Sequence, residues 1–173
     1  SHLPWQGKAA MTVHTEEPLH CTLAFRVPGW CQNPSITGPQ AMERVEKDGY
    51  VYFTGVWQDG DRVCLDFPME VRLNAANSRV REDLGQVAIT RGPICYCLEQ
   101  ADNGENLHLC RVDAGQIDKA ELEPVTIGGQ EMTSIHVPGF RQDPPALGAP
   151  LYNRYTPAAE RPVCLKYIPY YAW

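Results

Sequence analysis

The amino-acid sequence predicts an all-β protein, most simply an arrangement of β-sandwiches. Several short segments alternate apolar and polar residues, which is the period of a strand with one buried face. Turn-forming residues separate these segments, and the chain of 173 residues contains 14 glycines and 15 prolines. No segment shows the apolar spacing of an amphipathic helix. We therefore predict about ten short strands, a pattern typical of antiparallel sandwiches.

The clearest alternation lies in the segment Arg62–Leu73, where apolar side chains occupy every odd-numbered position. We predict one long strand here, with one buried and one solvated face. The Asp59-Gly60-Asp61 turn precedes it and predicts a hairpin with the strand that ends at Trp57. A second strand pair is predicted within residues 85–98, interrupted at Arg91-Gly92-Pro93.

The remaining elements follow from alternation and from turn residues. Segment 41–47 fits either a short strand or a weak helical turn, and segment 118–123 fits either helix or strand. The polar stretch 74–84 lacks a period and is the best candidate for a domain boundary. The other predicted strands are Lys8–Thr15, His20–Val27, Leu107–Val112, Glu123–Ile127 joined through Gly128-Gly129 to Glu131–Val137, and Val163–Trp173, with loops at Cys31–Gln40, Ala101–Asn106 and Phe140–Tyr155.

Charge and hydropathy exclude two classes of partner. The formal net charge is −6, and no cluster of lysines and arginines is present, so nucleic-acid binding is not expected. No run of about eighteen apolar residues occurs, so no membrane-spanning helix is expected either. The chain opens without methionine and closes on Tyr170-Tyr171-Ala172-Trp173. We expect a piece of a longer protein, whose closing aromatic residues dock onto another part of that protein.

The seven cysteines are odd in number and include no Cys-x-x-Cys pair. Reduced and mostly buried thiols in a cytoplasmic protein are the simplest interpretation. Disulfides in a secreted protein are a second interpretation, and a metal site is a third.

Catalytic motifs are scarce. The sequence contains neither a phosphate-binding glycine loop nor a nucleophile elbow. Glycoside hydrolysis uses two carboxylates, and two pairs are conceivable: Asp59 with Asp61, and Asp66 with Glu70 on one strand face. Ordinary solvated turn and strand charges are the better explanation of both pairs, because nothing near them in sequence would desolvate a carboxyl group.

Aromatic residues offer a candidate carbohydrate site. Tyr50 and Tyr52 share one face of a predicted strand that ends at Trp57. Sugar rings can pack their apolar C–H faces on such side chains. The alternative is that Trp5, Trp30 and Trp57 are packing residues.

Six motifs together identify a family resemblance. They are Leu3-Pro4-Trp5-x-Gly7, Phe25-Arg26-Val27-Pro28-Gly29-Trp30, Trp57-x-x-Gly60-Asp61-x-Val63, Phe67-Pro68-Met69-x-Val71-Arg72, Gly85-x-Val87-Ala88-Ile89-x-Arg91-Gly92-Pro93-Ile94-x-Tyr96-x-Leu98-Glu99, and Leu165-x-Tyr167-Ile168-Pro169-Tyr170-Tyr171-Ala172-Trp173. In this order they resemble the C-terminal region of the family-127 glycoside hydrolases, the β-L-arabinofuranosidases. The resemblance covers nearly the whole chain and is weakest between Asn103 and Ala159.

The resemblance implies two packed antiparallel β-sandwich domains, comprising residues 1–80 and 81–173. In that family an N-terminal (α/α)6 barrel carries a cysteine nucleophile, an assisting glutamate and a zinc ion held by cysteines and a glutamate. This chain matches none of those catalytic or zinc-binding motifs, so the resemblance implies that the barrel and its zinc lie outside it.

Two functions therefore remain open at the level of sequence. The first is a non-catalytic part of a β-L-arabinofuranosidase-like hydrolase, which braces the barrel or mediates contacts between copies. The second is a carbohydrate-binding module that uses Tyr50, Tyr52 or Trp57. An independent enzyme built on one of the carboxylate pairs is the weakest reading. The apolar surface left without the barrel predicts self-association.

Overall fold

The computed structural model describes residues 1–144, 146 and 148–172. The chain divides into two compact units, Ser1–Glu70 and Val71–Trp173. This division lies between residues 70 and 71, whereas the sequence suggests a boundary between residues 80 and 81. The difference arises because the first strand of the second unit, Val71–Asn74, pairs with Ala88–Arg91 of the same unit.

The first unit is a sandwich of two antiparallel sheets with three strands each. One sheet has the order β1-β6-β3 and the other the order β2-β5-β4. Both sheets contribute to a single core, in which Phe53 of β5 and Val63 of β6 are almost completely buried. The strands are β1 (Lys8–Thr12), β2 (Leu19–Arg26), β3 (Ser35–Thr37), β4 (Glu43–Lys47), β5 (Tyr50–Trp57) and β6 (Arg62–Asp66).

The predicted hairpin across Asp59-Gly60-Asp61 is wrong. Strand β5 pairs with β2 and β4, while β6 pairs with β1 and β3. Because both edges of β5 are occupied, the turn carries the chain from one sheet to the other. It is held by Val13, whose N–H donates to the Asp61 carbonyl at 2.8 Å and whose carbonyl accepts from the Gly60 N–H at 3.0 Å.

The predicted single strand Arg62–Leu73 is also wrong. Strand β6 ends at Asp66, and the apolar positions that follow belong to different units. Phe67 remains in the core of the first unit and donates its N–H to the Gly7 carbonyl at 2.9 Å. Pro68 has no N–H to offer a strand ladder. The alternation therefore continues in the sequence although the strand does not continue in the structure.

The second unit contains one antiparallel sheet of seven strands. The order is β10-β12-β13-β9-β8-β7, and β11 pairs with the first half of β12. A short helix, α1 (Gln100–Asn103), follows β9. The strands are β7 (Val71–Asn74), β8 (Ala88–Arg91), β9 (Ile94–Leu98), β10 (Cys110–Val112), β11 (Glu121–Ile127), β12 (Gln130–Gln142) and β13 (Glu160–Pro169).

Two predicted hairpins of this unit are confirmed. Strands β8 and β9 pair on either side of Gly92-Pro93. Strands β11 and β12 pair across Gly128-Gly129, whose φ angles are 58° and 81°. Only glycine adopts such positive φ values without steric cost, so the pair fixes the register of the hairpin.

Several element boundaries differ from the sequence prediction. The ambiguous segment 41–47 contains strand β4, and segment 118–123 contains the end of a 3-10 turn and the start of β11. Strand β12 continues to Gln142, into the predicted loop that began at Phe140. Strand β13 ends at Pro169, and a 3-10 turn follows at 170–172. Pro145, Leu147 and Trp173 lie outside the described residues.

The prediction of an all-β, antiparallel fold is confirmed, since sheets account for the architecture of both units. The buried residues of the second unit come from the middle of its sheet. They are Ile89, Ile94, Tyr96, Met132, Ser134, Ile135, Val137, Gly139, Leu165, Tyr167, Ile168 and Pro169. Among the described residues, no helix is long and apolar enough to cross a membrane.

Candidate functional site

The predicted aromatic pair is assembled on the outer face of the first unit. Tyr50 and Tyr52 lie on β5, and their side chains point away from the core because they alternate with the buried residues Val51 and Phe53. Tyr50 is 37% exposed and Tyr52 is half-buried. The two ring centroids are 6.0 Å apart, and the ring planes are tilted by 37°. The tyrosines therefore form a small, open aromatic surface.

Cross-strand pairing determines which side chains surround these rings. Tyr50 is paired with Arg26 of β2 on one side and with Lys47 of β4 on the other. Tyr52 is paired with Ala24 and Val45. Directly opposed side chains of antiparallel strands lie about 5 Å apart at Cβ. We refer to these six residues (Ala24, Arg26, Val45, Lys47, Tyr50 and Tyr52) as the tyrosine face.

A pair of threonines continues this surface along the strands. Thr54, one pair further along β5, lies opposite Thr22, and their hydroxyl oxygens are 2.9 Å apart. Beyond the tyrosine face the sheet thus presents these two small hydroxyl side chains, with Glu43 of β4 on the other side of Thr54. The surface is flat and could accommodate an extended ligand but not enclose one.

Trp57 does not contribute to this surface, which corrects the sequence prediction. Its side chain is 1% exposed, and its indole Nε1 donates a hydrogen bond to the Cys21 carbonyl at 3.2 Å. Trp57 is buried because it lies on the inward-facing side of β5, together with Val51 and Phe53. Buried indoles normally find such a hydrogen-bond acceptor. Trp57 is therefore a packing residue, as the alternative interpretation held.

The other aromatic residues are divided between core and surface. Trp30 packs edge-to-face on Phe67, with ring centroids 6.1 Å apart, and it lies against the core of the first unit. Near the end of the chain, Tyr170 and Tyr171 are 61% and 57% exposed. Partial burial raises the pKa of Tyr171. Trp173, which the sequence analysis grouped with them, lies outside the described residues.

The carboxylate pair Asp59 and Asp61 stabilises a turn. Asp59 Oδ1 accepts a hydrogen bond from the Thr15 N–H at 3.3 Å and lies 3.4 Å from His14 Nδ1. Asp61 Oδ2 accepts from the Gln58 N–H at 2.8 Å. Asp61 thus binds a backbone group of its own turn, which is a common structural use of aspartate, while Asp59 connects the turn to the segment that follows β1.

The second pair, Asp66 and Glu70, does not share a strand face. Asp66 is the last residue of β6 and lies 4.0 Å from Lys8 Nζ across the sheet. Glu70 follows the end of that strand. The sequence prediction places Asp66 and Glu70 on one face because it assumes a single strand, Arg62–Leu73. In the structure this segment is not a single strand.

Among the described residues, no group of three or more His, Cys, Asp or Glu side chains could hold a metal ion. The zinc that the family resemblance implies therefore does not fit the described part of the chain. All seven cysteines are free thiols. Burial, followed by the charges of Glu99 and Cys95, raises the pKa of Cys97, and burial with Glu121 and Glu123 raises that of Cys164. These shifts disfavour the reactive thiolate.

One cluster resembling a hydrolytic triad was not foreseen. Ser134 Oγ lies 3.4 Å from His136 Nε2, which in turn is 3.2 Å from Glu123 Oε2. The hydroxyl and the carboxylate approach the same imidazole nitrogen, whereas a triad needs one on each side of the ring. Ser134 is also 1% exposed and donates to the Glu123 carbonyl. The cluster is thus a structural network in which Ser134 is buried and Glu123 is exposed.

Two family models match the chain. Residues 71–173 match the glycoside hydrolase family 127 C-terminal domain, and residues 1–69 match the middle domain of the same family, described as β-L-arabinofuranosidase. The chain belongs to glycoside hydrolase family 127. The two matched ranges meet where the structure separates its two units.

Similar proteins of this family are much longer. The chain is 34% identical to a non-reducing end β-L-arabinofuranosidase of Bifidobacterium longum subsp. longum, with 100% of this chain covering 27% of the relative. A crystal structure of a family-127 β-L-arabinofuranosidase from Geobacillus stearothermophilus T6 is 37% identical, with a TM-score of 0.88, and the chain covers 27% of it. A family-127 β-arabinofuranosidase structure matches with 26% identity and a TM-score of 0.82 over 28% of its length.

Proposed function

We propose that this chain is the non-catalytic β-sandwich portion of a β-L-arabinofuranosidase-like glycoside hydrolase and braces a catalytic domain that lies outside it. The observation that carries the proposal is coverage: the chain aligns over its whole length with enzymes of which it represents only 27%. The residues that perform their reaction then belong to the remainder. By family resemblance, that remainder is an (α/α)6 barrel that holds zinc.

The positions of the candidate carboxylates among the described residues support this proposal. Hydrolysis of a glycosidic bond requires two carboxyl groups, or an equivalent acid and nucleophile, on either side of the bond. Within the described residues, strand β6 ends at Asp66, so Asp66 and Glu70 do not share a strand face. Asp59 and Asp61 bind backbone N–H groups, and Asp66 pairs with Lys8.

Exposed apolar side chains in the second unit supply the bracing surface. Leu151, Tyr152 and Tyr155 are 94%, 93% and 86% exposed. Tyr170 and Tyr171 are also exposed. Large apolar groups rarely remain in water when a partner is available, because burying each one is worth roughly 2 kcal/mol. We infer that the catalytic domain covers this surface and that, in its absence, copies of the chain associate through it.

A chromogenic β-L-arabinofuranoside tests the proposal directly. The intact mass of the native gene product is measured first, and the native protein and the 173-residue chain are then assayed side by side. A longer native protein that releases the chromophore, beside a silent chain, is the expected result. Turnover by the chain alone would exclude the bracing role, and so would a native product no longer than this chain.

Sedimentation provides a second test of the same surface. The chain should self-associate at high concentration, and a Leu151→Ser/Tyr152→Ser/Tyr155→Ser variant should sediment as a monomer. A matched control, Val45→Ser/Val56→Ser, removes exposed apolar side chains from the first unit instead. If both variants behave alike, or if the unmodified chain is monomeric, the segment 151–155 is not the contact surface.

The free thiols favour a reducing compartment, and we propose the cytoplasm as the location. Cys64, Cys95 and Cys164 are exposed, and exposed thiols persist where thioredoxin and glutathione keep them reduced.

A further inference from the structure

The tyrosine face has an unusual charge distribution. In a protein of net charge −6, Tyr50 lies between two cationic residues, Arg26 and Lys47, one on each neighbouring strand. Both side chains are exposed. Directly opposed side chains on neighbouring strands lie close enough to contact the same ligand. Tyr50 is therefore flanked by a positive charge on each side.

Arg26 is available for a ligand. Within the described part of the chain, its guanidinium makes no salt bridge or hydrogen bond with another residue. Lys47 Nζ lies 3.9 Å from an Asp48 carboxylate oxygen, and their side chains are 72% and 78% exposed. Such exposed pairs are weak, so the aspartate is readily exchanged for another anion.

Other acids do not neutralise this position. Glu46 lies next to Lys47, but its carboxylate forms a salt bridge with Arg44, with a distance of 2.6 Å between Glu46 Oε1 and Arg44 Nη2. Glu43 is paired with Thr54, two residues beyond Tyr52 on β5. The region around Tyr50 thus combines an aromatic surface with a free guanidinium and a weakly engaged ammonium group.

We propose that the tyrosine face binds an acidic oligosaccharide. The apolar face of a sugar ring lies on Tyr50 and Tyr52, and the carboxylate of a uronic acid residue is held by Arg26, with Lys47 on the opposite side. Guanidinium is suited to this role because its planar N–H groups match the two oxygens of a carboxylate. The neighbouring hydroxyls of Thr22 and Thr54 offer hydrogen bonds to a sugar along the same sheet.

This inference goes beyond the bracing role and does not depend on it, because the tyrosine face belongs to the first unit and the bracing surface to the second. Flatness limits the affinity: an open site leaves much of the ligand in water, so binding is expected in the millimolar to high micromolar range.

The test compares an acidic sugar with its neutral counterpart. The 173-residue chain is titrated with trigalacturonic acid and with its methyl ester, and binding is followed by calorimetry and by chemical-shift changes of the isotopically labelled chain. The acid should bind at least about tenfold more tightly than the ester, because the ester keeps the ring faces but lacks the charge. Absence of binding, or equal binding of both sugars, would overturn the proposal.

Two substitutions distinguish binding at the tyrosine face from a general electrostatic attraction between the protein and an anionic ligand. Arg26→Gln should weaken binding of the acid at least about fivefold and leave binding of the ester unchanged. Arg62→Gln is the matched control, since it removes the same charge from an exposed position on the other sheet. If both variants weaken binding equally, the attraction is that of the whole protein for an anion and the site is refuted.

The aromatic contribution is tested on the same two ligands. Tyr52→Ala should weaken binding of the acid and of the ester alike, whereas Tyr52→Phe should retain both, because stacking requires only the ring. Circular dichroism establishes that each variant is folded. Unchanged binding by folded Tyr52→Ala, or loss of binding in folded Tyr52→Phe, would contradict the stacking role.

Discussion

The side-chain amide of Asn103 takes the place of a strand partner for Lys166. Its Nδ2 donates to the Lys166 carbonyl at 2.9 Å, and its Oδ1 accepts from the Lys166 N–H at 2.9 Å. Strand β9 ends at Leu98, opposite Tyr167, so the amide continues the ladder by one residue. The same Nδ2 also donates to the carbonyl of Glu99, the residue that precedes helix α1.

Replacing Asn103 by alanine should lower the free energy of unfolding by about 2–3 kcal/mol, because the half-buried N–H and carbonyl of Lys166 lose their partners. Urea unfolding followed by circular dichroism measures the change. Gln100→Ala provides the control, since Gln100 is exposed in the same helix and should change stability by less than about 0.5 kcal/mol. Equal effects of the two substitutions would show that the amide contributes nothing specific.

Gly7 lies where two backbone segments approach closely. Its carbonyl accepts the Phe67 N–H at 2.9 Å, and a Cβ built on Gly7 would overlap the Phe67 carbonyl group, with the carbonyl carbon only 2.7 Å away. Gly7→Ala should therefore destabilise the first unit by about 3 kcal/mol or more, since backbone cannot move aside as a flexible side chain can. Gly29→Ala, where a Cβ meets nothing within 4 Å, should be nearly neutral in the same urea experiment. A stable Gly7→Ala variant would exclude this close approach.

The sequence was most informative where a pattern is local. Gly128-Gly129 predicted a hairpin because positive φ values are a property of those two residues alone. The face shared by Tyr50 and Tyr52 followed in the same way from the period of a strand. Each of these inferences requires no knowledge of what lies across the sheet.

Pairing between strands could not be read from the same patterns. Apolar residues alternate with other residues throughout Arg62–Leu73, but the segment is not one strand. Phe67 lies in the core of the first unit, whereas Val71 begins the second unit. Similarly, Arg26 lies 24 residues before Tyr50 in the sequence, and only the register of β2 with β5 reveals that the two residues are neighbours. The prediction for Trp57 is wrong because it rests on the residue type. The odd-numbered position on β5, which Trp57 shares with Val51 and Phe53, indicates burial instead.

The thiols should differ in their rates of alkylation. Burial, reinforced by the charges of Glu121 and Glu123, raises the pKa of Cys164 and lowers its thiolate fraction. At about pH 8, iodoacetamide should therefore modify exposed Cys64 faster than Cys164 and leave buried Cys31 unmodified until the chain unfolds. Peptide mass spectrometry at successive times measures the order.

A charge-removing variant provides the control for this order. Glu123→Gln should accelerate alkylation of Cys164 and leave that of Cys64 unchanged, because only Cys164 experiences the carboxylate. A rate for Cys164 that is insensitive to this substitution and equal to that of Cys64 would contradict the electrostatic explanation. After unfolding without reductant, all seven cysteines should be alkylated.

Stability at alkaline pH should depend on Tyr167. Burial, with a smaller contribution from Cys110, raises the pKa of its phenol to about 12, whereas a tyrosine of the unfolded chain ionises near pH 10. Below pH 10 both states keep the proton and the full stability is present. As the pH rises from 10 towards 12, the unfolded state alone loses the proton, so the free energy of unfolding falls.

Between about pH 9 and pH 11 this group should account for a loss of roughly 1.4 kcal/mol, the equivalent of one pKa unit. Urea unfolding at both pH values should therefore show a smaller pH-dependent loss for Tyr167→Phe than for the unmodified chain, because phenylalanine cannot ionise. Tyr152→Phe, at a site that is 93% exposed, should retain the original pH dependence. If Tyr167→Phe retains it as well, Tyr167 ionises in the folded chain as readily as in the unfolded one, and its burial in the second unit has no electrostatic consequence.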